Sequence, residues 1–434
     1  MTGSDYYNKA KRIIPGGTQL LSKRPEMFLP NNWPSYFTSA RGIQVTDLND
    51  NVLSDWIMGV GPCVLGYADP DVNAAVIDTV AAGTMCTLNC PEEVELAELL
   101  CNLHPWAQMV RYARSGGEAM SIAVRIARAY TGRDIVAFCG YHGWCDWYLA
   151  ANLGNSDQLA EHLLPGIEPL GVPRSLAGSA VSFPYNGIEQ LQSIAARHKA
   201  DLAAIVMEPQ RGDPPQPGFL EGAREVADTT GAVLIFDEIT TGVRSTSGGI
   251  HLLLGVNPDL AVFAKAMSNG YPMSAIIGTE QVMQAAQSSF ISSTNWTERV
   301  GPVAALATIR KHRRENVGDH LTTIGNAVGD GWREAAENCG LRLHVSGMPA
   351  LIHFSLEYEN ELELVSLFTQ CMLERGYLAC NWFKPSFAHK RQDVVEFLRT
   401  VSDVFAEVAA AVQKGNARQR LKGPPALRGF FRVE

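Results

Sequence analysis

The hydrophobic positions change rhythm along this chain. Over the first fifty residues they are scattered among Pro, Gly, Asn and Trp, as in Pro-Gly-Gly (15–17) and Arg-Pro-Glu-Met-Phe-Leu-Pro-Asn-Asn-Trp-Pro (24–34). That texture predicts an irregular arm wrapped over something larger. A short strand pair follows at Ile43–Asp47 and Val52–Trp56. From about residue 70 helical periodicity alternates with short apolar runs. Glu92–Leu103 and Glu118–Tyr130 carry the period of helices. Val110–Ala113, Ile135–Cys139, Ala203–Met207, Ala232–Phe236, Leu260–Phe263 and Ala275–Gly278 read as buried strands. Such alternation predicts a mostly parallel, three-layer α/β domain. A long helix, Val303–Arg313, leads out of it, and the remainder reads as helices with strands at Leu343–Val345 and Ala350–Ser355. The expected division is an arm over 1–55, a large α/β domain over 56–310 and a smaller α+β domain over 311–413 that the arm joins. A basic, Gly/Pro-containing tail over 414–434 is expected to be loosely held.

Composition narrows the class. A chain of 434 residues exceeds one ordinary domain, and 46% hydrophobic against 19% charged residues provides for a large core. The net charge of −9 argues against a nucleic-acid or anionic-membrane surface. No basic-then-apolar leader opens the sequence, and no apolar run approaches a membrane span. Nine cysteines, scattered from Cys63 to Cys380 without a paired Cys-x-x-Cys or a His cluster, argue against a zinc site. Reduced thiols fit a cytoplasmic protein without nucleic-acid or membrane partners.

The candidate chemistry begins at two strand ends. Asp237 ends the run Ala-Val-Leu-Ile-Phe (232–236), and Lys265 follows Leu-Ala-Val-Phe-Ala (260–264). If the two strands are parallel neighbours, both groups reach one sheet edge, where open α/β sheets bind ligands. Pyridoxal phosphate needs this pair: an amine to hold its aldehyde as a Schiff base, and a carboxylate to keep its ring nitrogen protonated. Arg-Ser-Gly-Gly-Glu-Ala-Met (114–120) opens a helix, where Ser115, Gly116 and Gly117 can present a hydroxyl and free N–H groups to a phosphate. It has neither a Walker nor a dinucleotide spacing. Gly-Tyr-His-Gly-Trp (140–144) ends another strand and offers an aromatic face for a flat ring. Glu208 ends a third strand. It is either a site acid or a turn acid, as Arg211 is either a substrate-carboxylate clamp or a solvated charge.

Together these segments resemble a known family over most of the chain. The ordered set Arg-Tyr-Ala-Arg-Ser-Gly-Gly-Glu-Ala-Met (111–120), Tyr-His-Gly (141–143), Glu-Pro (208–209), Leu-Ile-Phe-Asp-Glu-Ile-Thr-Thr-Gly-Val-Arg (234–244) and Pro-Asp-Leu…Ala-Lys (258–265) is similar to class III pyridoxal-phosphate aminotransferases. Within them it resembles the glutamate-1-semialdehyde 2,1-aminomutase branch. The resemblance implies a fold type I transferase, with a large mostly parallel α/β/α domain and a smaller α+β domain. It implies Lys265 as the cofactor's attachment point and proton shuttle, and Asp237 facing the pyridine nitrogen. Ile239 would pack on one ring face and Tyr141 on the other, with His142 beside it, while Ser115 and Gly116 take the phosphate. Glu208 is implied as the acid near the ring. Thr294 is implied to reach the phosphate of a neighbouring subunit, hence a homodimer with shared active sites.

Departures from the branch are visible. Its Ser-Gly-Thr phosphate turn is Ser115-Gly116-Gly117 here. Lys23 stands near a substrate-reading arginine, and lysine is a poor substitute for a bidentate fork. Asp213 stands where the branch has Asn, and Trp296-Thr297-Glu298-Arg299 replaces a Ser-Gly-Asn-Pro stretch. The changes gather where substrate, not cofactor, is read. The segment Trp144–Ala180 corresponds to a mobile gate of that branch and is expected to act as a lid, with a static insertion as the alternative reading. The leading expectation is an aminotransferase that passes an amino group from a small-molecule donor to a keto or aldehyde acceptor by way of pyridoxamine phosphate. An intramolecular aminomutase and a non-catalytic binding protein on the same fold are the alternatives.

Overall fold

The computed structural model describes residues 2–154 and 157–429. The chain divides into two compact units, residues 70–318 and residues 1–69 with 319–434. The boundaries therefore fall at 69/70 and 318/319, against the expected 55/56 and 310/311. The long helix, observed as Val300–Arg314, does not lead out of the larger unit. It packs within it on the helices Pro70–Ala82 and Pro91–Leu103.

The larger unit is built on seven strands: β1 (Met109–Ala113), β2 (Ile135–Cys139), β3 (Ala180–Ser182), β4 (Leu202–Met207), β5 (Val233–Asp237), β6 (Leu260–Phe263) and β7 (Ser274–Gly278). Their order is β1-β7-β6-β5-β4-β2-β3. Only β7 runs against its neighbours; the other pairs are parallel. Every residue of β4, β5, β6 and β7 is buried, so these strands are continuous apolar runs rather than alternating ones. On one face Ala119, Ala123, Ile126 and Ala127 of the helix Gly116–Thr131 pack on Ala204, Val206, Ile235 and Val262. On the other, Leu191, Ile194, Ala223 and Val226 cover Ile205, Leu234 and Phe236. β3 has no counterpart in the sequence reading, because three residues are too few to show a period.

Segment 144–180 is a packed insertion over its described residues; Asn155 and Ser156 lie outside them. Trp147, Tyr148, Ala151 and Leu159 join the sheet's core. The Asn152 amide donates to the Ile167 carbonyl at 2.8 Å and accepts from Leu159 N–H at 3.1 Å. Gln158 Oε1 accepts from Ser182 N–H at 3.0 Å.

The smaller unit holds two sheets. One joins Phe37–Arg41, Gln44–Asp47 and Val52–Asp55 in antiparallel order, with Tyr377–Leu378 added in parallel. The other contains Leu343–Ser346, Ile352–Leu356 and Trp382–Phe383. Its core gathers Trp56, Trp332, Phe354, Phe368, Phe397 and Phe405, with Trp56 stacked on Phe397 at 3.6 Å. Two expectations are corrected here. The first residues are not irregular: Gly3–Ile13 is a helix, capped by Thr2 and Asp5 in a reciprocal box. Nor is the tail loose over its described part, 414–429. Arg420 pairs with Glu407, Lys422 with Glu374 and Arg428 with Glu361, and Ala426 N–H donates to the buried Ser366 hydroxyl at 2.9 Å.

Candidate active site

The site lies at the C-terminal edge of the large sheet. β5 and β6 are parallel neighbours, and Asp237 is in register with Val262, three residues before Lys265. Asp237 is buried. Its Oδ1 accepts from Ile239 N–H at 3.0 Å, and its Oδ2 lies 2.8 Å from His142 Nδ1. His142 Nε2 in turn lies 3.2 Å from the Cys139 carbonyl oxygen. His142 is therefore buried against the aspartate and holds it. Each carboxylate oxygen keeps a second lone pair for another donor.

Lys265 opens a short turn, Lys265–Ser268, in which the lysine backbone is left-handed with φ 45°. A non-glycine residue in that region stores strain of roughly 1–2 kcal/mol, and such strain gathers at functional sites. Nζ donates to Thr240 Oγ1 at 2.8 Å. Burial pushes the Lys265 amine below the ordinary lysine range; Asp237 opposes that shift and the Arg244 cation adds to it. Burial likewise raises the Glu208 carboxyl, with the charge of Asp237 in support. Glu208 Oε2 accepts from Tyr141 N–H at 3.1 Å and lies 3.4 Å from Arg211 Nε.

The phosphate-turn residues come to the same edge. Ser115 caps the helix Gly116–Thr131 in a box with Glu118: its N–H and Oγ lie 2.8 Å and 3.0 Å from Glu118 Oε2. A side-chain carbon on Gly116 would meet Ile239 Cδ1 at 2.9 Å, so Ile239 packs directly on this turn. One on Gly117 would meet Trp144 Nε1 at 3.2 Å, and one on Gly143 would meet Gly117 Cα at 3.1 Å. The two glycines let the loop after β2 lie on the phosphate turn, with Trp144 seated where a larger residue 117 would project. Tyr141 remains 42% exposed at this edge. Ser115, Gly116, Gly117, Tyr141, Glu208, Asp237, Ile239 and Lys265 are thus gathered around one sheet edge.

Four other residues are placed differently. Arg211 is a strut: its guanidinium donates to the Glu161 carbonyl at 2.9 Å and the His162 carbonyl at 2.6 Å, besides facing Glu208. Asp213 is exposed, and its backbone carbonyl accepts from Tyr185 Oη at 3.4 Å. Thr294 is exposed at the start of the turn Thr294–Thr297. Lys23 belongs to the smaller unit, where it ends the turn Leu21–Lys23.

Sequence reasoning missed Thr240 and the buried support beneath it. Glu238 accepts from Thr241 Oγ1 at 2.5 Å and from His251 N–H at 2.9 Å, and lies 2.8 Å from His251 Nδ1. Trp106 Nε1 donates to His251 Nε2 at 3.0 Å, which leaves Nδ1 as the protonated nitrogen. These contacts hold the Glu238 carboxyl below its usual range against the burial that raises it. Nothing in the spacing of Asp-Glu-Ile-Thr-Thr tells which threonine faces the lysine.

A parallel sheet that brings a desolvated lysine and a held aspartate to its edge, above a Gly-rich helix start, suits an aldehyde cofactor with a basic ring and a phosphate. That is the arrangement of a fold type I pyridoxal-phosphate-dependent transferase. Residues 30–387 match the class-III aminotransferase family, and the chain belongs to it. It is 31% identical to the 3-aminobutyryl-CoA aminotransferase of Cloacimonas acidaminovorans (strain Evry) over 424 residues, covering 93% of this chain and 96% of that one. Among solved structures it resembles the PLP internal aldimine form of the FumI protein of Sphingopyxis sp. MTA144, with TM-score 0.86, 25% identity and 98% of each chain covered. It also resembles an omega-transaminase from Sphaerobacter thermophilus, with TM-score 0.83, 28% identity, and coverage of 94% of this chain and 98% of that one. The protein is a class III aminotransferase with pyridoxal phosphate as its cofactor.

Proposed function

We propose that Lys265 is the residue to which the cofactor is attached and the base that moves the proton, and that Asp237 is the partner of the ring nitrogen. The reading rests on one observation: the two groups stand at the ends of adjacent parallel strands, the aspartate held and the amine desolvated. Bound pyridoxal phosphate supplies an aldehyde that takes up the amino group and a ring that spreads the electron pair left at the substrate carbon. The chain does the rest. Burial favours the neutral amine over the ammonium form, so Lys265 Nζ serves as nucleophile and then as proton acceptor. The Asp237 carboxyl, held by His142 and Ile239 N–H, accepts a hydrogen bond from the nitrogen that faces it. Ser115 and the free N–H groups of the following turn receive the phosphate, Ile239 abuts that turn, and Tyr141 offers the opposite face.

The amino group passes from an amine donor to a keto or aldehyde acceptor. The relative named for 3-aminobutyryl-CoA puts β-amino acyl compounds at the head of the donor panel. Exposed Lys23 and Asp213 are carried forward as substrate-side groups. We also propose a homodimer in which Thr294 serves the partner's phosphate site. Thr294 is exposed, and Phe290, four residues before it and 88% exposed, favours a protein neighbour there. A cytoplasmic setting is supported by nine free thiols and, among the described residues, no helix long and apolar enough to cross a membrane.

The test is a borohydride and half-reaction experiment. Reduction should abolish the visible band and leave the cofactor's mass on the Lys265 peptide; a label on any other lysine sinks the assignment. Adding a productive donor should yield about one carbonyl product per cofactor, as ping-pong transfer requires. Substrate rearrangement with no donor-derived carbonyl would establish the aminomutase outcome instead.

A further inference from the structure

Among the described residues the Lys265 amine has one side-chain hydrogen-bond partner, the Thr240 hydroxyl at 2.8 Å, and the chain goes to some length to keep that hydroxyl in place. The Thr240 carbonyl accepts from the buried Arg244 Nε at 2.6 Å. Arg244 is fixed in turn, because its own carbonyl lies 3.1 Å from His312 Nε2. On one side of Thr240, Ile239 N–H is tied to Asp237. On the other, the Thr241 hydroxyl and Gly242 N–H are both tied to Glu238. Gly242 admits no side chain, since a carbon there would lie 2.6 Å from Phe263 and 2.7 Å from the Glu238 carbonyl oxygen. The lysine is fixed from its own end by the left-handed turn and by burial of Ala266, Met267 and Ser268.

We infer that Thr240 is a positioning residue for the reaction: its hydroxyl fixes the direction of the Lys265 amine whenever that amine is not bonded to the cofactor. The inference rests on the assignment of Lys265 made above. An amine on four methylenes has many rotamers, and losing that freedom in advance removes an orientational cost from each approach to the reacting carbon. One N–H directed at Thr240 Oγ1 leaves the other positions on nitrogen to be aimed into the site. Asp237, Glu208 and Arg244 are the charged groups that act on the amine, while among the described residues its hydrogen bond goes to Thr240. A hydroxyl, unlike a fourth charge, orients the nitrogen without fixing its protonation state.

The experiment compares cofactor-free wild type with Thr240→Val, which keeps the shape and removes the oxygen, and Thr240→Ser, which keeps the oxygen. Each protein is mixed with pyridoxal phosphate, quenched with borohydride at intervals across pH, and digested to quantify cofactor on the Lys265 peptide. T240V should capture the cofactor about tenfold more slowly. Its rate should also titrate at lower pH than wild type, because an acceptor lost from the ammonium form lowers the amine's pKa. T240S should follow wild type. In turnover by the loaded enzymes, T240V should lose kcat with KM little changed. Equal capture rates and equal pH midpoints in all three proteins overturn the inference. Should valine prevent folding, Thr240→Ala takes its place in the same comparison. Wild type that traps no cofactor on Lys265 would instead remove the underlying assignment, so the two failures are distinguishable.

Discussion

Gly143 illustrates how much of this site depends on the absence of a side chain. Its φ is 102°, and a carbon added there would sit 3.1 Å from the Gly117 backbone. Both penalties act on Gly143→Ala: a strained backbone and a contact that only main-chain movement relieves. The variant should lose roughly 1–3 kcal/mol of stability and hold pyridoxal phosphate more weakly, read by denaturant titration and by cofactor release on dialysis. Wild-type retention would mean that the Tyr-His-Gly-Trp loop does not depend on its approach to the phosphate turn. Lys265 makes a prediction of opposite sign. An amine whose folded-state pKa is depressed binds fewer protons folded than unfolded between that pKa and the ordinary lysine value. Stability of the cofactor-free protein therefore rises with pH across that window. Removing the amine removes the penalty, so cofactor-free Lys265→Met should melt above wild type at neutral pH, with the gap closing as pH approaches 10.5. A lower melting temperature for the variant would show that the amine is not desolvated.

At the scale of elements, the strand ends were legible and the supports beneath them were not. β4, β5 and β6 announce themselves as apolar runs because they are covered on both faces, and a polar residue at or just beyond each end, Glu208, Asp237 and Lys265, marks the edge. The N-terminal helix was missed although Thr2 and Asp5 stand at capping-box spacing. Prolines and glycines after residue 14 drew the reading toward loop. The tail was misread for a related reason. Its basic residues suggested solvated charge, but each ion pair forms with an acid on a helix folded against it, and a sequence window shows one partner at a time. Arg211 shows the same limit. As a strut it ties Glu208 to the carbonyls of Glu161 and His162. Arg211→Met should therefore quicken hydrogen exchange in peptides spanning 157–167 while leaving KM for a carboxylate substrate nearly unchanged. A raised KM with unchanged exchange would restore the substrate-clamp reading.

The whole molecule enters through Thr294, which is exposed in the single chain and which the proposed homodimer would place at a partner's phosphate site. Its turn is stapled to the sheet by arginines of β1 and the residue after it. Arg111 donates to the Ile291 carbonyl, while Arg114 donates to the carbonyls of Trp296 at 3.0 Å and Glu298 at 2.5 Å. Because Arg114 immediately precedes Ser115, the turn that would serve a partner's phosphate is held by the root of the turn that would receive the chain's own. Shared sites of this kind can be tested by mixing. Thr294→Val should weaken cofactor retention and Lys265→Ala should abolish turnover, each alone. In a two-fold dimer assembled from both variants, one site combines two defects and the other combines an intact Lys265 with an intact Thr294 from across the interface. Random reassembly puts half the dimers in that mixed form with one good site apiece, so about a quarter of wild-type activity should return at limiting cofactor. If Thr294 instead serves its own chain, every site in the mixture carries one defect or the other. Activity then stays at the level of the Thr294→Val subunits alone, and the shared-site dimer is excluded.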